Sequence, residues 1–297
     1  MTNDNRLFDA LTGMQRQIKR VATPDEEVLQ EFRRVSETLA LADGTPTDEE
    51  RGLAYFVYPK WRTTNLLSWW THASFENWRD SIGSYNGTLN GSVAFATQDD
   101  LTLGKRRRYA NFPSGATHYI NLGDLTELDG AQQVTWAFRY RPISGNDGVP
   151  ISRDPAAVGD QQFLAHVINT TDLRFFIQDA GGTYPYGRVN SVFTANTWYS
   201  VVVVFDGTLT GDANRLKVYI NGVQQTLTFP VGGIPSALET VAANVRIGNS
   251  EGTAGWVAEK DIYDVAIWLA ALSAAEALAY HNDSDLDRVI AGEFKAA

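Results

Sequence analysis

The first fifty residues carry apolar side chains at the spacing of amphipathic helices. Residues 23–26 (TPDE) have the composition of a helix start, with Thr23 as the N-cap and Glu26 completing a capping box. Residues 43–46 (DGTP) then end the helical pattern. Two short amphipathic helices are predicted within residues 1–52, with apolar positions at Leu7, Leu11, Met14, Ile18 and Val21, then at Val28, Phe32, Val35 and Leu39.

Two hypotheses fit this N-terminal segment. Neither predicted helix is long enough to be stable alone, so its apolar side must be buried against another surface. The segment is either a helical hairpin packed on the domain that follows it or an element for docking and oligomerisation. The second hypothesis predicts a homo-oligomer, or attachment to other proteins, through residues 1–52.

From residue 53 onward, apolar and polar residues alternate with a period of two, which is typical of strands. About a dozen such runs predict a mainly β domain over residues 53–297, built as an antiparallel two-sheet sandwich. One helix is predicted at residues 277–281, after a second capping box at residues 273–276 (SAAE). The clearest strand runs are residues 134–140, 173–178, 199–205, 216–220 and 261–268; the turn signals include residues 86–87, 90–91, 145–148, 206–207 and 221–222.

Composition excludes several classes of protein. The 297 residues include 25 Lys and Arg against 35 Asp and Glu, and the net charge of −10 argues against nucleic-acid binding. The absence of Cys excludes thiol nucleophiles, cysteine metal sites and disulfides. No apolar run approaches the roughly 20 residues of a membrane-spanning helix, so we expect no membrane insertion. The first ten residues (MTNDNRLFDA) do not resemble a secretory signal, and none is expected.

Six segments, in sequence order, resemble the motifs of laminin-G-like, concanavalin A-like jelly-roll domains. The resemblance spans residues 66–282 and implies a jelly-roll sandwich preceded by the helical element. Because this fold serves lectins, hydrolases, adhesion modules and virion parts, it leaves the function open. The segments are residues 67–70 (LSWW), 80–89 (DSIGSYNGTL), 116–122 (ATHYINL), 136–140 (WAFRY), 196–207 with 216–223 (NTWYSVVVVFDG, LKVYINGV), and 262–268 with 272–276 (IYDVAIW, LSAAE).

Catalytic signatures are not evident. The Glu-x-Asp-x-Glu spacing of the hydrolase branch of this fold is absent, and Glu259 with Asp261 is more simply a solvated strand edge. The four His residues lack the spacing of metal ligands, and no nucleophile elbow or phosphate-binding loop is present. We therefore expect that the protein is not an enzyme.

A structural Ca²⁺ is implied by the resemblance, since many members of the fold hold one between the opening loop and the closing strand. Asp80 matches the opening position. On the closing strand, Tyr263 replaces the first acidic residue of the motif and Asp264 remains. Strand alternation would point Asp264 to the opposite face. Two hypotheses follow: Asp80 and Asp264 hold a Ca²⁺, or Asp80 caps a turn.

The segment of residues 180–190 (AGGTYPYGRVN) is the candidate ligand-binding loop. Tyr184 and Tyr186 could stack on the C–H face of a sugar, with Arg188 as a polar contact. The alternative is an ordinary hairpin tip with partly packed tyrosines. The polar residues expected to help, if neighbouring loops converge, are Asn146, Asp147 and Asn249.

A dense positive run occupies residues 105–108 (KRRR). It either docks an acidic glycan or an acidic protein, or it is a solvated loop between strands. The sequence does not distinguish these two hypotheses.

The functional hypothesis at this stage is a virion-associated structural protein of a bacteriophage: a head decoration, fibre or tail component. Residues 1–52 would attach to the particle, and the jelly-roll would face outward and bind a host surface glycan. Many copies would compensate for weak individual contacts. The alternatives are a secreted or surface lectin-like module, which would be extracellular, and a diverged glycoside-active enzyme.

Overall fold

The computed structural model describes residues 64–71, 78–80, 82–100, 105–155, 162–178, 182–252 and 255–282. Residues 64–97 and 108–282 belong to one unit. The helices predicted within residues 1–52, and the domain boundary predicted after residue 52, lie outside the described residues. In the part of the chain that the structure describes, no helix has the length and apolar character to cross a membrane.

Strands dominate the regular structure of the described residues, as the period of two predicts. They are β1 (Leu66–Thr71), β2 (Arg79–Asp80), β3 (Thr88–Asn90), β4 (Ala94–Asp100), β5 (Lys105–Phe112), β6 (Tyr119–Gly123), β7 (Gln133–Gly148), β8 (Ile151–Arg153), β9 (Phe163–Ile168), β10 (Asp172–Ile177), β11 (Tyr186–Val189), β12 (Tyr199–Asp206), β13 (Leu216–Ile220), β14 (Val223–Gln224), β15 (Thr228–Val231), β16 (Val245–Ile247) and β17 (Val257–Trp268). The helices are a 3₁₀ turn (Thr126–Leu128), α1 (Asp212–Arg215) and α2 (Ala274–Asn282).

The strands form two antiparallel layers. In the first layer the order is β2, β1, β17, β7, β12, β13, β14, and β5 pairs with β17 beyond the end of β1. In the second layer the order is β3, β6, β16, β8, β9, β10, β11, β15. The end of β7 also pairs with β9 and links the layers. The predicted mainly β, antiparallel architecture is confirmed.

Aromatic side chains fill the space between the layers. The ring of Trp136, on β7, lies 4.8 Å from that of Phe163 and 4.9 Å from that of Phe175, measured between centroids. All three side chains are fully buried. Since successive residues of a strand point to opposite faces, anchoring Phe163 and Phe175 in the core directs their neighbours on β9 and β10 outward.

The predicted strands and turns agree with the structure except at three segments. Asn86 and Gly87 do not form the predicted Asn-Gly turn, since neither has a positive φ and Gly87 pairs with Trp78 in an isolated bridge. Residues 145–148 were expected to form a turn, but they continue β7 to Gly148. Gly145 has a φ of +99°, and the register with β17 shifts there, so the backbone forms a bulge rather than a hairpin. Residues 105–108, considered as a loop, belong to β5. At Asn221 and Gly222 both φ angles are positive, 51° and 76°, as the predicted Asn-Gly turn requires.

The predicted capping box begins α2. The backbone N–H of Ser273 donates to Glu276 Oε2 at 2.7 Å, and the backbone N–H of Glu276 donates to Ser273 Oγ at 3.3 Å. At the other end of the helix, the Arg139 guanidinium donates to the carbonyls of Tyr280 and His281. A cation is favourable at a helix C-terminus, so this arginine holds α2 against β7.

One buried arginine ties two irregular segments to β8. Arg153 is fully buried, and all five of its N–H groups find acceptors. These are carboxylates or carbonyls of Asp124, Asp129, Gln162, Val241 and Ala243. The segments of residues 124–129 and 239–243 are thereby fixed at one end of the second layer.

Replacement of Arg153 by Lys is expected to lower the free energy of unfolding by about 3 kcal/mol, because an ammonium has three N–H donors where five acceptors are buried. Urea unfolding followed by tryptophan fluorescence measures the loss. Arg215→Lys is the control, since Arg215 donates to the carbonyls of Leu209 and Ile234 and contacts no carboxylate in the described residues. Equal losses in the two variants would contradict the assignment.

Candidate functional site

The outward side chains of β9, β10 and β11 lie side by side on the second layer. Arg174 on β10 faces His166 on β9 and Arg188 on β11. One step further along β10, Phe176 faces Tyr186 on β11. The alternation of β10, which is half-buried at these positions and buried at the intervening ones, brings these side chains to the same face.

Ring contacts connect this face to a residue from another part of the chain. Trp256, which precedes β17, stacks on His166 with centroids 3.7 Å apart and planes at 8°. Phe176 lies 6.4 Å from His166 and 4.7 Å from Tyr186, again between centroids. The guanidinium carbon of Arg174 lies 5.4 Å from the centroid of the Tyr186 ring. These five residues are called the outer-face cluster.

The members of the outer-face cluster differ in exposure. His166 is only 3% exposed, because Trp256 covers it. Trp256, Phe176, Tyr186 and Arg174 are half-buried. Partly accessible rings beside an arginine suit a ligand that is apolar on one face and carries hydrogen-bonding groups at its edges.

Arg188 is held by an acidic neighbour. It donates to Asp172 Oδ2 at 2.7 Å, and Asp172 Oδ1 accepts from the backbone N–H of Ser191 at 2.8 Å and from the hydroxyl of Thr171 at 3.1 Å. Burial acts to raise the pKa of Asp172, but these hydrogen bonds outweigh it and the pKa lies below its usual value. The charge of Arg188 is therefore neutralised within the sheet.

His166 is a neutral imidazole at pH 7. Burial lowers its pKa to about 4; the nearby Arg174 acts in the same direction, and Asp147 opposes both. Asp147 Oδ1 lies 3.4 Å from His166 Nε2. Asp147 thus belongs to the edge of the outer-face cluster, on the β7 side.

The structure brings together part of the predicted ligand site. Tyr186 is in the outer-face cluster and Asp147 contacts it, while Tyr184 is half-buried in the segment before β11. Asn146 lies in β7, and its side chain is outside the described residues. Asn249 is 1% exposed; its amide donates to the Ala116 carbonyl, and its Oδ1 accepts from the next backbone N–H. That burial gives Asn249 a role in loop structure rather than in ligand contact.

Sequence reasoning missed four members of the cluster. The alternation in residues 172–177 (DLRFFI) could have placed Arg174 and Phe176 on the outward face. The same alternation applied to β9 could have placed His166 on the outward face. Trp256 carried no such signal, because it stacks on His166 from a position about 90 residues further along the chain.

Asp80 is fully occupied by protein donors. Its carboxylate accepts five hydrogen bonds, from the Ser68 hydroxyl and from the backbone N–H groups of Trp69, Ile82, Gly83 and Tyr85. Both oxygens therefore face N–H and O–H groups, whereas a Ca²⁺ site needs oxygen lone pairs converging on the ion. Asp80 organises the turn of residues 80–87 instead.

Asp264 also lacks the surroundings of a calcium ligand. It adopts a φ of +53°, where β17 has a register shift, and its Oδ1 accepts from the indole N–H of Trp69 at 2.6 Å. Its Oδ2 lies 3.6 Å from Arg139 Nε. No group of three His, Asp or Glu side chains that could hold a metal occurs among the described residues. The residues present do not fit a Ca²⁺ ion between Asp80 and Asp264.

The carboxylates of β17 have their own partners. Arg141 donates to Asp261 Oδ2 through Nε at 2.7 Å, and Asn111 donates to Oδ1 at 2.8 Å. Burial nevertheless raises the pKa of Asp261. Glu259 accepts from the Ser144 hydroxyl at 2.9 Å. Asp261 is 1% exposed, so it is not part of a solvated edge.

A family model described as the concanavalin A-like lectin/glucanases superfamily (Laminin_G_3) matches residues 114–277, more than half of the chain. The chain belongs to this superfamily, and the resemblance found in the sequence is confirmed. No curated protein matches the chain.

Solved structures share the fold at low identity. The receptor-binding domain of botulinum neurotoxin C/D mosaic serotype has a TM-score of 0.54 at 13% identity, covering 74% of this chain and 52% of that one. The type G receptor-binding domain gives 0.52 at 14%, with 73% and 51% covered. The serotype D ligand-binding domain in complex with N-acetylneuraminic acid gives 0.50 at 14%, with 74% and 51% covered. The chain spans about half the length of these domains, and the likeness concerns the fold.

Removal of divalent cations with EDTA is expected to leave the melting temperature of the protein unchanged. Asp80→Asn is expected to destabilise the protein by about 1–3 kcal/mol with or without Ca²⁺, since an amide accepts fewer of the five hydrogen bonds. Differential scanning calorimetry measures both. A rise in melting temperature on adding Ca²⁺ that Asp80→Asn abolishes would show that the site does hold the ion.

Acid is expected to destabilise the protein through His166. Its folded pKa of about 4 lies below the unfolded value, so the unfolded chain takes up the proton first as the pH falls. Stability is then lost between about pH 6.5 and pH 4, by up to about 3 kcal/mol. His166→Gln should flatten this part of the curve of unfolding free energy against pH. A curve for His166→Gln parallel to that of the wild type would refute the role of His166.

Proposed function

We propose that the protein is a non-catalytic carbohydrate-binding module that holds a glycan on the outer-face cluster. The observation that carries the proposal is the placement of Phe176, Tyr186 and Trp256 as half-exposed aromatic side chains on one face, with the Arg174 guanidinium beside them. A pyranose ring has an apolar C–H face and a polar rim. Such a ring would stack on the aromatic side chains and receive hydrogen bonds from the arginine.

The position of Phe176 and Tyr186 on hydrogen-bonded strands supports the proposal. They belong to paired strands rather than to loops, and the neighbours of Phe176, which are Phe175 and Ile177, are packed in the core. A ligand therefore meets side chains that are already ordered, which reduces the entropy lost on binding.

The comparisons support a sugar ligand at a coarse level. The superfamily to which the chain belongs includes lectins, and one structure of similar fold is a complex with N-acetylneuraminic acid. That complex does not locate the sugar on this chain, because the chain matches about half of the domain. These observations favour a lectin-like module at a cell or extracellular surface over the bacteriophage hypothesis.

The virion placement remains a prediction from the sequence. None of the three structures named above is a virion protein, and the segment proposed to attach to a particle, residues 1–52, is outside the described residues. Homo-oligomerisation through that segment is likewise a prediction. Display in many copies would raise the avidity of a weak sugar site in either setting.

The absence of catalysis is part of the proposal. Asp261 is 1% exposed and is held by Arg141 and Asn111, and Glu259 accepts from Ser144, which supports structural roles for both carboxylates rather than the acid and base roles of glycoside hydrolysis. Release of reducing sugar from a polysaccharide, lost in Glu259→Gln, would favour the enzyme alternative instead.

Tyr186→Ala is expected to weaken binding to any glycan found on an array at least tenfold, which corresponds to about 1.4 kcal/mol of lost stacking. Tyr119→Ala is the matched control, because Tyr119 belongs to the same layer and also lies beneath an arginine, with Arg246 at 4.2 Å. Binding is measured on the full chain by isothermal calorimetry, after circular dichroism has shown both variants to be folded. Equal binding by wild type and Tyr186→Ala would reject the cluster as the glycan site.

A further inference from the structure

Arg174 differs from the other arginines whose side chains the structure describes. Five of them pair with a carboxylate, and Arg215 donates to two backbone carbonyls. Arg174 forms no hydrogen bond or ion pair in the described part of the chain, and its Nε is buried without a partner. The five pairs are Arg139 with Asp264, Arg141 with Asp261, Arg153 with Asp124, Arg188 with Asp172, and Arg246 with Glu251.

An arginine without a counter-ion is unexpected in this chain. Acidic residues outnumber basic ones by 35 to 25, so carboxylates are abundant. Instead, Arg174 lies against the ring of Tyr186, which attracts a cation but does not use its N–H groups. The guanidinium is thus oriented by the ring while its hydrogen-bonding edge stays unused.

The charges around Arg174 leave it as the positive centre of the outer-face cluster. On β9, His166 is neutral at pH 7, and on β11 the charge of Arg188 is balanced by Asp172. Asp147 lies beyond β9, two strands from Arg174, which corresponds to about 10 Å at the usual strand spacing. The other carboxylate on the outward face of β10, Asp172, lies two residues before Arg174 and is already paired with Arg188. A negatively charged group placed over Arg174 therefore meets a guanidinium that has no counter-ion of its own in the described residues.

We propose that the glycan bound by the cluster is acidic, and that its sugar carboxylate pairs with Arg174 while the sugar ring stacks on Tyr186 and Phe176. This inference rests on the proposed carbohydrate-binding function. A guanidinium and a carboxylate are both planar and form two parallel N–H···O hydrogen bonds, which suits recognition of a uronic or sialic acid. The class of ligand is a carboxylated sugar, and the methyl ester of the same sugar is a poor substitute.

The test compares each sugar with its own methyl ester, which removes the charge and preserves the ring. An array carries sialyllactose and oligogalacturonate in both forms, together with neutral oligosaccharides, and the full chain is the probe. We expect the acid forms to bind at least tenfold more tightly than the esters. Arg174→Gln is expected to abolish that preference, because the amide carries no charge to pair with the carboxylate.

Arg246→Gln is the matched control, because Arg246 belongs to the same layer and stacks on Tyr119, but pairs with Glu251. It should retain the preference for the acid. A preference that survives in Arg174→Gln would overturn the inference, and so would equal binding of acid and ester forms. In the second case, glycan binding that Tyr186→Ala abolishes would leave the proposed function intact. Failure of the folded chain to bind any glycan would overturn both.

Discussion

The packing of Trp136 against Phe163 and Phe175 is the interaction from which the rest of the domain follows. It buries large rings from β7, β9 and β10 between the two layers, and burial of such rings is the main source of stability in a sandwich. It also fixes which residues of each strand face the core, because a shift of one residue would turn every inward side chain outward. The outward position of Arg174 and Phe176 is therefore a consequence of the core.

Polar interactions hold the loops and the helix end that the apolar core does not fix. Arg153 joins two irregular segments to one end of the second layer, and Asp80 closes the turn after β2 by accepting hydrogen bonds from its backbone N–H groups. Arg139 holds the C-terminal end of α2 by donating hydrogen bonds to the carbonyls of Tyr280 and His281. In each case one buried or half-buried charge satisfies several backbone groups, so the loops are held by the chain's own side chains.

The sequence was most informative where structure is set by neighbouring residues. The Asn221–Gly222 turn, the capping box of α2 and the apolar runs of β12 and β13 all depend on a few adjacent residues, and each was predicted. The bulge at residues 145–148 was missed because pairing with β17 extends the backbone there. Asn249 was misjudged because its burial depends on contact with Ala116. The stacking of Trp256 on His166 joins segments about 90 residues apart and left no local pattern.

The net charge of −10 gives Arg174 a kinetic consequence for an acidic ligand. At distances beyond the Debye length, about 8 Å in physiological salt, an anionic polymer is screened from the chain, but closer in it is repelled by the protein as a whole. Added salt weakens this repulsion and speeds encounter, while it also weakens the contact with the guanidinium and speeds release. Raising the ionic strength would then increase the rate at which the complex forms and shorten its lifetime. Short-lived single contacts favour binding to a surface that presents many copies of the ligand over capture of single glycan chains from dilute solution.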